Sequence, residues 1–138
     1  MRLTSFTDFA LRALMRAAGE PDRSFSTEEI ARDFAISRHH LTKAVRDLAR
    51  AGLVETRRGG GGFRLARPAE SITIGVVVRA LEARQALVEC FRADGGACVL
   101  TPTCRLAPRL ARARDAFLAD LDRTTLAEAA WTPQRGES

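Results

Sequence analysis

Three cysteines, Cys90, Cys98 and Cys104, fall within fifteen residues of a 138-residue chain that has no others. Thiolates are soft ligands suited to iron-sulfur clusters, zinc or cuprous copper, and Gly95 and Gly96 between them give the segment freedom to fold its sulfurs toward one point. An odd number of thiols makes no disulfide framework, and with no export signal in the opening residues, free thiols or metal ligation are expected. Three sulfurs leave a usual four-ligand set one short, so a fourth ligand must come from elsewhere or be exchangeable. The plainer alternative is three small apolar side chains in a core.

Charge marks a second chemical region. The net charge is +5, and between positions 37 and 67 eight basic residues (Arg38, Lys43, Arg46, Arg50, Arg57, Arg58, Arg64, Arg67) stand against Asp47 and Glu55. The rest of the chain is close to neutral. A local cationic field suits a polyanion, because each neutralised phosphate releases counterions. A solvated basic face is the alternative, and the elements that carry the charges weigh between the two.

Those elements read mainly as helices. Positions 7–18 carry Phe9, Ala10, Ala13, Leu14, Ala17 and Ala18 at helical spacing, with Ser5 as the expected cap and Gly19 as the stop. Ser26 to Glu29 reads as a capping box opening a short helix that buries Ile30, Ala31 and Phe34. After a turn at Ala35 and Ile36, Ser37 caps a third helix whose inner stripe is Leu41, Val45 or Ala44, and Leu48, ended by Gly52. Its outward face is basic, which describes a helix-turn-helix.

Positions 53–58 and 63–66 alternate apolar and polar around four glycines, predicting a hairpin with a bare tip. A glycine-rich phosphate cradle is disfavoured, since no Gly-Lys-Ser/Thr follows and no strand-to-helix context surrounds the glycines. A helix is expected over 74–82, and a loose segment follows. Pro102 resembles the first position of a long helix, with Cys104 in its first turn and Leu106, Leu110, Ala113, Phe117, Leu118 and Leu121 along one side. Pro108 should bend that helix or delay its start. Its stripe is expected to meet a second copy of the chain, the alternative being packing back on the head. A last short helix begins near Thr125, and the tail from Trp131 is expected to fray.

The fold class is therefore mainly α: a winged helix-turn-helix head with a small β-hairpin wing and a long C-terminal dimerisation helix. The expected division is 1–82 for the DNA-binding head, 83–104 for the cysteine segment and 105–138 for the dimerisation helix and tail. Arg38, His39, His40, Thr42, Lys43 and Arg46 are the expected major-groove residues, with Ser37 anchoring phosphate. Arg57, Arg58 and Arg64 are assigned to the backbone and minor groove. No apolar run is long enough for a membrane span, and a cytoplasmic location is expected. An enzyme is disfavoured: there is no Cys-x-x-Cys, no paired carboxylates, and both histidines lie on the presumed DNA face.

The opening MRLTSFTDFALRAL, the Ser37-Arg38-His39-His40-Leu41 helix start, the Arg57-Arg58-Gly59 to Gly62-Phe63-Arg64-Leu65-Ala66 wing and the three-cysteine segment occur in the right order over positions 1–130. Jointly they resemble the NsrR-type nitric-oxide-sensing repressors, of a winged-helix superfamily that also includes the iron-sulfur biogenesis regulator IscR. The resemblance implies a homodimer on a palindromic double-stranded DNA operator. It implies an iron-sulfur cluster, 4Fe-4S favoured and 2Fe-2S possible, held by Cys90, Cys98 and Cys104, with Asp8 of the partner subunit as candidate fourth ligand. The cluster-loaded form would repress genes for nitric oxide detoxification, and nitrosylation of the cluster would release DNA. From spacing alone, Asp8 has the duller role of stabilising the first helix through its dipole. Seven residues separate Cys90 from Cys98, longer than the family commonly shows, so 93–96 must bulge outward if the cysteines converge. Ala107 stands where the IscR type places a histidine. The alternatives are a redox-responsive or biogenesis regulator, or a zinc or thiol DNA-binding regulator without a cluster.

Overall fold

The computed structural model describes residues 2–57 and 62–134. Helix α1 (Ser5–Gly19) buries Ala10, Ala13, Leu14, Ala17 and Ala18, the stripe expected from their spacing. Its cap is Thr4 rather than Ser5: the Thr4 hydroxyl accepts from the Thr7 N–H at 3.2 Å. Thr4 is fixed one residue ahead of the expected cap because its own N–H and hydroxyl both donate to Glu82 Oε1, at 2.8 and 3.1 Å. Gly19, the last residue of the helix, is required for a tertiary reason. A Cβ there would lie 2.3 Å from the carbonyl oxygen of Trp131, which crosses over the helix and donates its N–H to Met15 at 3.0 Å. Trp131 is thus fastened where fraying was expected, its ring 5.1 Å from that of Phe34.

Helix α2 (Thr27–Phe34) is capped by Ser26, whose hydroxyl accepts from the Glu29 N–H at 3.1 Å. The reciprocal half of the expected capping box is replaced, since the Glu29 carboxylate pairs with Arg23. Ala35 takes a left-handed φ of 53° to turn the chain into α3 (Arg38–Arg50), capped by Ser37. Strands β1 (Val54–Thr56) and β2 (Phe63–Leu65) pair antiparallel with Val54 opposite Leu65. Phe63 also bridges Phe25, each N–H donating to the other's carbonyl at 2.8 Å, which pins the wing to the segment before α2.

Helix α4 (Ile74–Glu82) follows, capped by Thr73. The core of the head gathers Leu14, Phe25, Ile30, Leu41, Leu48, Leu53, Phe63, Ile72 and Val77, all essentially inaccessible to solvent. Each such side chain stabilises the head by about 1.5–3 kcal/mol. Leu126 of α6 (Leu126–Ala129) belongs to this same core, and Thr125 and Glu128 form a complete capping box that starts the helix.

Helix α5 (Leu106–Leu121) starts later than Pro102 suggests. Pro102 opens only a short 3-10 turn, Thr101–Thr103. Were the helix to begin there, Pro108 would lack the N–H for the Cys104 carbonyl and its ring would clash with it. No residue of α5 is fully buried; Phe117, Leu118 and Leu121 are half-buried, and Leu106 is exposed. Its far end is clamped to α4, where Arg79 donates to both carboxylate oxygens of Asp122 at 2.5 and 2.8 Å. These bonds hold the Asp122 carboxyl below the usual carboxylate range. Gly75 makes the clamp possible, since a Cβ there would stand 1.8 Å from Asp122 Oδ1. No helix among the described residues is long and apolar enough to cross a membrane.

Candidate DNA interface and cysteine segment

Burial of Leu41, Ala44, Val45 and Leu48 turns the opposite side of α3 outward, leaving Arg38, His39, His40, Thr42, Lys43 and Arg46 exposed, with Ser37 at the helix start. The expected reading surface is one surface in the fold, yet its members are held differently. Arg38, Thr42 and Arg46 line a trough of about 560 Å³ whose other walls include Ser26, Thr27 and Glu28 at the cap and start of α2 and Thr56, Arg57 and Gly62 of the wing. His40 and Lys43 lean toward α1: the His40 ring stacks 6.0 Å from Phe9, and Lys43 Nζ lies 5.5 Å from the centre of Phe6. His39 is exposed, its ring 6.0 Å from that of His40.

Two of the arginines carry acidic partners in the free protein. Arg38 pairs with Glu28 at 2.7 Å and Arg64 with Glu55 at 3.4 Å. All four side chains are about half or more exposed, and ion pairs of that kind are worth about 0–1 kcal/mol, so exchanging carboxylate for phosphate costs little. Arg57 is exposed at the foot of the wing, where its N–H donates to Gly62 at 3.0 Å. Gly62 has φ 84°, and a Cβ there would meet the Phe25 carbonyl oxygen at 2.4 Å, so this glycine is required where the wing closes on the segment before α2. Arg58 and the glycines at 59–61 lie outside the described residues.

The cysteine segment is built of short turns. Cys90 lies in the 3-10 turn Glu89–Phe91, and Cys98 follows the turn made by Gly95 and Gly96, whose φ angles are 77° and 64°. Cys104 is extended, with φ −71° and ψ 122°, and precedes α5; it does not occupy the helix's first turn as expected, for the reason Pro108 supplies. All three thiols are free and half-buried. Phe91, beside Cys90, is covered by the Arg114 guanidinium of α5 at 5.0 Å.

Among the described residues, no three His, Cys, Asp or Glu side chains group as a metal-ligand set within the chain. Asp8 lies in the first turn of α1, as the dipole reading requires, and accepts from Arg12 at 2.9 and 3.3 Å. The chemistry of three half-buried thiols free of disulfides fits an iron-sulfur centre. Their placement within one protomer does not close it.

The sequence pattern passes over four contributors. Glu28 was read only as part of a helix start, although it stands against Arg38 in the trough. Phe9 reads only as a member of the first helix's stripe, yet its ring supports His40, and Phe6, which the stripe does not include, lies beside Lys43. Glu89, next to Cys90, accepts from the Ala97 N–H at 2.9 Å across the segment. Adjacency to a cysteine and to a two-glycine turn is the one signal that could have drawn attention to it.

A helix-turn-helix with an exposed basic second helix, flanked by a basic hairpin, defines a winged-helix DNA-binding regulator. The model of the Rrf2 family, described as an iron-dependent transcriptional regulator, matches residues 3–130, and the chain belongs to that family. It is 48% identical to the HTH-type transcriptional regulator NsrR of Geobacillus kaustophilus over 93% of this chain and 88% of that one. Identity to the regulator of the same name from Halalkalibacterium halodurans is 44%, over 91% and 88%. The fold is similar to the crystal structure of Staphylococcus aureus CymR in its oxidised form, with a TM-score of 0.71, 28% identity and coverage of 98% and 100%. Function in this family lies in regulating transcription, and the basic surface on α3 and the wing is the part of the chain suited to that work.

Proposed function

We propose that this chain is a cytoplasmic, homodimeric repressor that binds a palindromic operator and responds to nitric oxide through an iron-sulfur cluster held by Cys90, Cys98 and Cys104. The observation that carries this reading is 48% identity to an NsrR regulator over nearly the whole chain, together with three free thiols in one short segment. In this reading 1–82 read DNA, 83–104 hold the cluster and, within 105–138, α5 supplies the dimer contact, while Leu126 and Trp131 pack onto the chain's own head. A 4Fe-4S centre is favoured over 2Fe-2S, with Asp8 of the partner subunit as the fourth ligand.

When bound, the cluster supplies irons with which nitric oxide reacts. The chain's own residues do the rest. Asp8 must leave Arg12 to reach a metal, at small cost for a half-exposed pair. A carboxylate is a poor match to thiophilic iron, so this position is the exchangeable one. Ser37 and the start of α3 anchor phosphate, while Arg38, His39, His40, Thr42, Lys43 and Arg46 face base edges. Arg57, Arg58 and Arg64 serve the backbone and minor groove. Two such heads must present their α3 helices about 34 Å apart, so a modest rotation between them weakens binding steeply.

The test is anaerobic purification followed by iron and sulfide counting and operator binding at one fixed salt concentration, before and after nitric oxide. Loaded protein should bind tightly, while cluster-free and nitric-oxide-treated protein should bind weakly. Equal binding by all three overturns the sensing role. A thiol-based redox regulator is the second reading, favoured by three free cysteines and by the similarity to CymR, which was crystallised in an oxidised form. It requires a response to peroxide in protein that contains no iron.

A further inference from the structure

The segment between Cys90 and Cys98 is closed on itself by one acidic side chain. Glu89 reaches across it, and its Oε1 accepts the Ala97 N–H at 2.9 Å. Gly96 lies flat on the same residue: a Cβ at Gly96 would stand 2.6 Å from both the Glu89 carbonyl oxygen and its Cγ, and its φ of 64° already disfavours a side chain. Within the bulge, Gly95 N–H donates to the Arg92 carbonyl at 2.9 Å, Gly96 N–H to Asp94 Oδ1 at 2.9 Å, and Arg92 pairs with Asp94 at 2.7 Å. The ends of the loop, 89 and 97, are therefore in contact, and the thiol-bearing residues are their immediate neighbours. Phe91 fixes one end of this loop against Arg114 of α5.

We propose that Glu89 is a positioning residue for the cysteine site: its carboxylate clamps the 89–97 loop shut, forces residues 92–95 to bulge outward, and so holds Cys90 beside Cys98 before any metal arrives. This rests on the reading of those two thiols as ligands of one centre. The clamp resolves the long spacing between them, because the loop closes through a hydrogen bond and a glycine contact instead of through fewer residues. An open loop of this length would have to be ordered at the moment of metal binding; a clamped one has already lost that freedom. Glu89 touches no metal in this scheme. It acts through the backbone amide of Ala97.

The clamp can be tested without a cluster. In full-length, iron-free, reduced protein carrying C104S, dibromobimane becomes fluorescent only when both of its arms have reacted with thiols, so its fluorescence reports how readily Cys90 and Cys98 are bridged. Monobromobimane measures the reactivity of the single thiols as the reference. E89A and G96A should each lower the ratio of bridging to single alkylation by about tenfold, the loss of proximity expected when a closed loop opens. E89Q, which keeps an oxygen to accept from Ala97, should retain most of it. An unchanged ratio in both E89A and G96A overturns the clamp, and so does E89Q behaving like E89A. Iron and sulfide counting on the chain with all three cysteines is read separately. Rapid bridging in a protein that takes up no cluster leaves the clamp standing and removes the iron-sulfur reading instead.

Discussion

The head and the cysteine segment are held together by different means. In the head, Leu14, Phe25, Leu41, Leu48 and Phe63 are inaccessible to solvent, and residues far apart in sequence are joined by backbone bonds, as between Leu126 and Ile72 at 2.8 Å. Between 83 and 104 no residue is fully buried, the hydrogen bonds are local, and Val99 and Leu100 are 90% and 60% exposed. One region is closed by hydrophobic packing, which tolerates little change; the other is shaped by hydrogen bonds and glycine contacts, which can be rearranged at low cost. A regulator needs both: a rigid reader and a responsive element that can differ between two states without unfolding the reader.

This contrast can be broken most severely from the side of the core. F63A removes a buried ring that packs near Phe25 and anchors the wing, and should cost about 3–5 kcal/mol in urea unfolding. A loss below about 1 kcal/mol would show that the core does not govern the head. R46A comes next: the fold should be unchanged, operator affinity should fall about tenfold at fixed salt, and the slope of log affinity against log salt should shrink by about one. An unaltered salt slope would remove Arg46 from the interface.

A smaller effect is expected at the junction of the two regions. The bonds from Arg79 depress the Asp122 carboxyl, so the folded form binds its proton less readily than the unfolded chain does. The stabilisation is therefore complete above the unfolded value, about 4, and is lost as the pH falls through the lower folded value. D122N should melt earlier than the unaltered protein at neutral pH, and the gap should narrow as the pH falls below about 4; a gap that stays constant from neutral pH into acid would contradict the pair. Least of all, L100A in the cysteine segment should shift stability by no more than about 0.5 kcal/mol, since its side chain is largely exposed.

The head was readable from the sequence because its signals are local and redundant. Apolar spacing, Ser26 and Ser37 as caps and two alternating segments around a run of glycines all point to the same elements, and the stripes of α1 and α3 follow from periodicity alone. What could not be read depends on distant partners. Thr4 replaces Ser5 as cap because Glu82 holds it, and Gly19 is needed because Trp131 passes above it. Glu29 turns to Arg23, and no local rule chooses between that and the capping box. At the site, the outward positions of α3 follow from the inward ones, but their division between Phe6 and Phe9 on one side and the trough on the other requires the third dimension. Cys104 was misplaced by weighting Pro102 as a helix opener over Pro108, whose missing N–H has the stronger claim on where the helix begins.

The return of the chain after α5 has a mechanical consequence. Because Leu126 is sealed in the head and Trp131 is hooked over Met15, residues 83–121 form an arch with both feet on the same foundation. The span is also braced within itself, because the Arg79–Asp122 pair ties the end of α5 to α4, so the cysteine segment is the one stretch of it without a direct tie to the head's core.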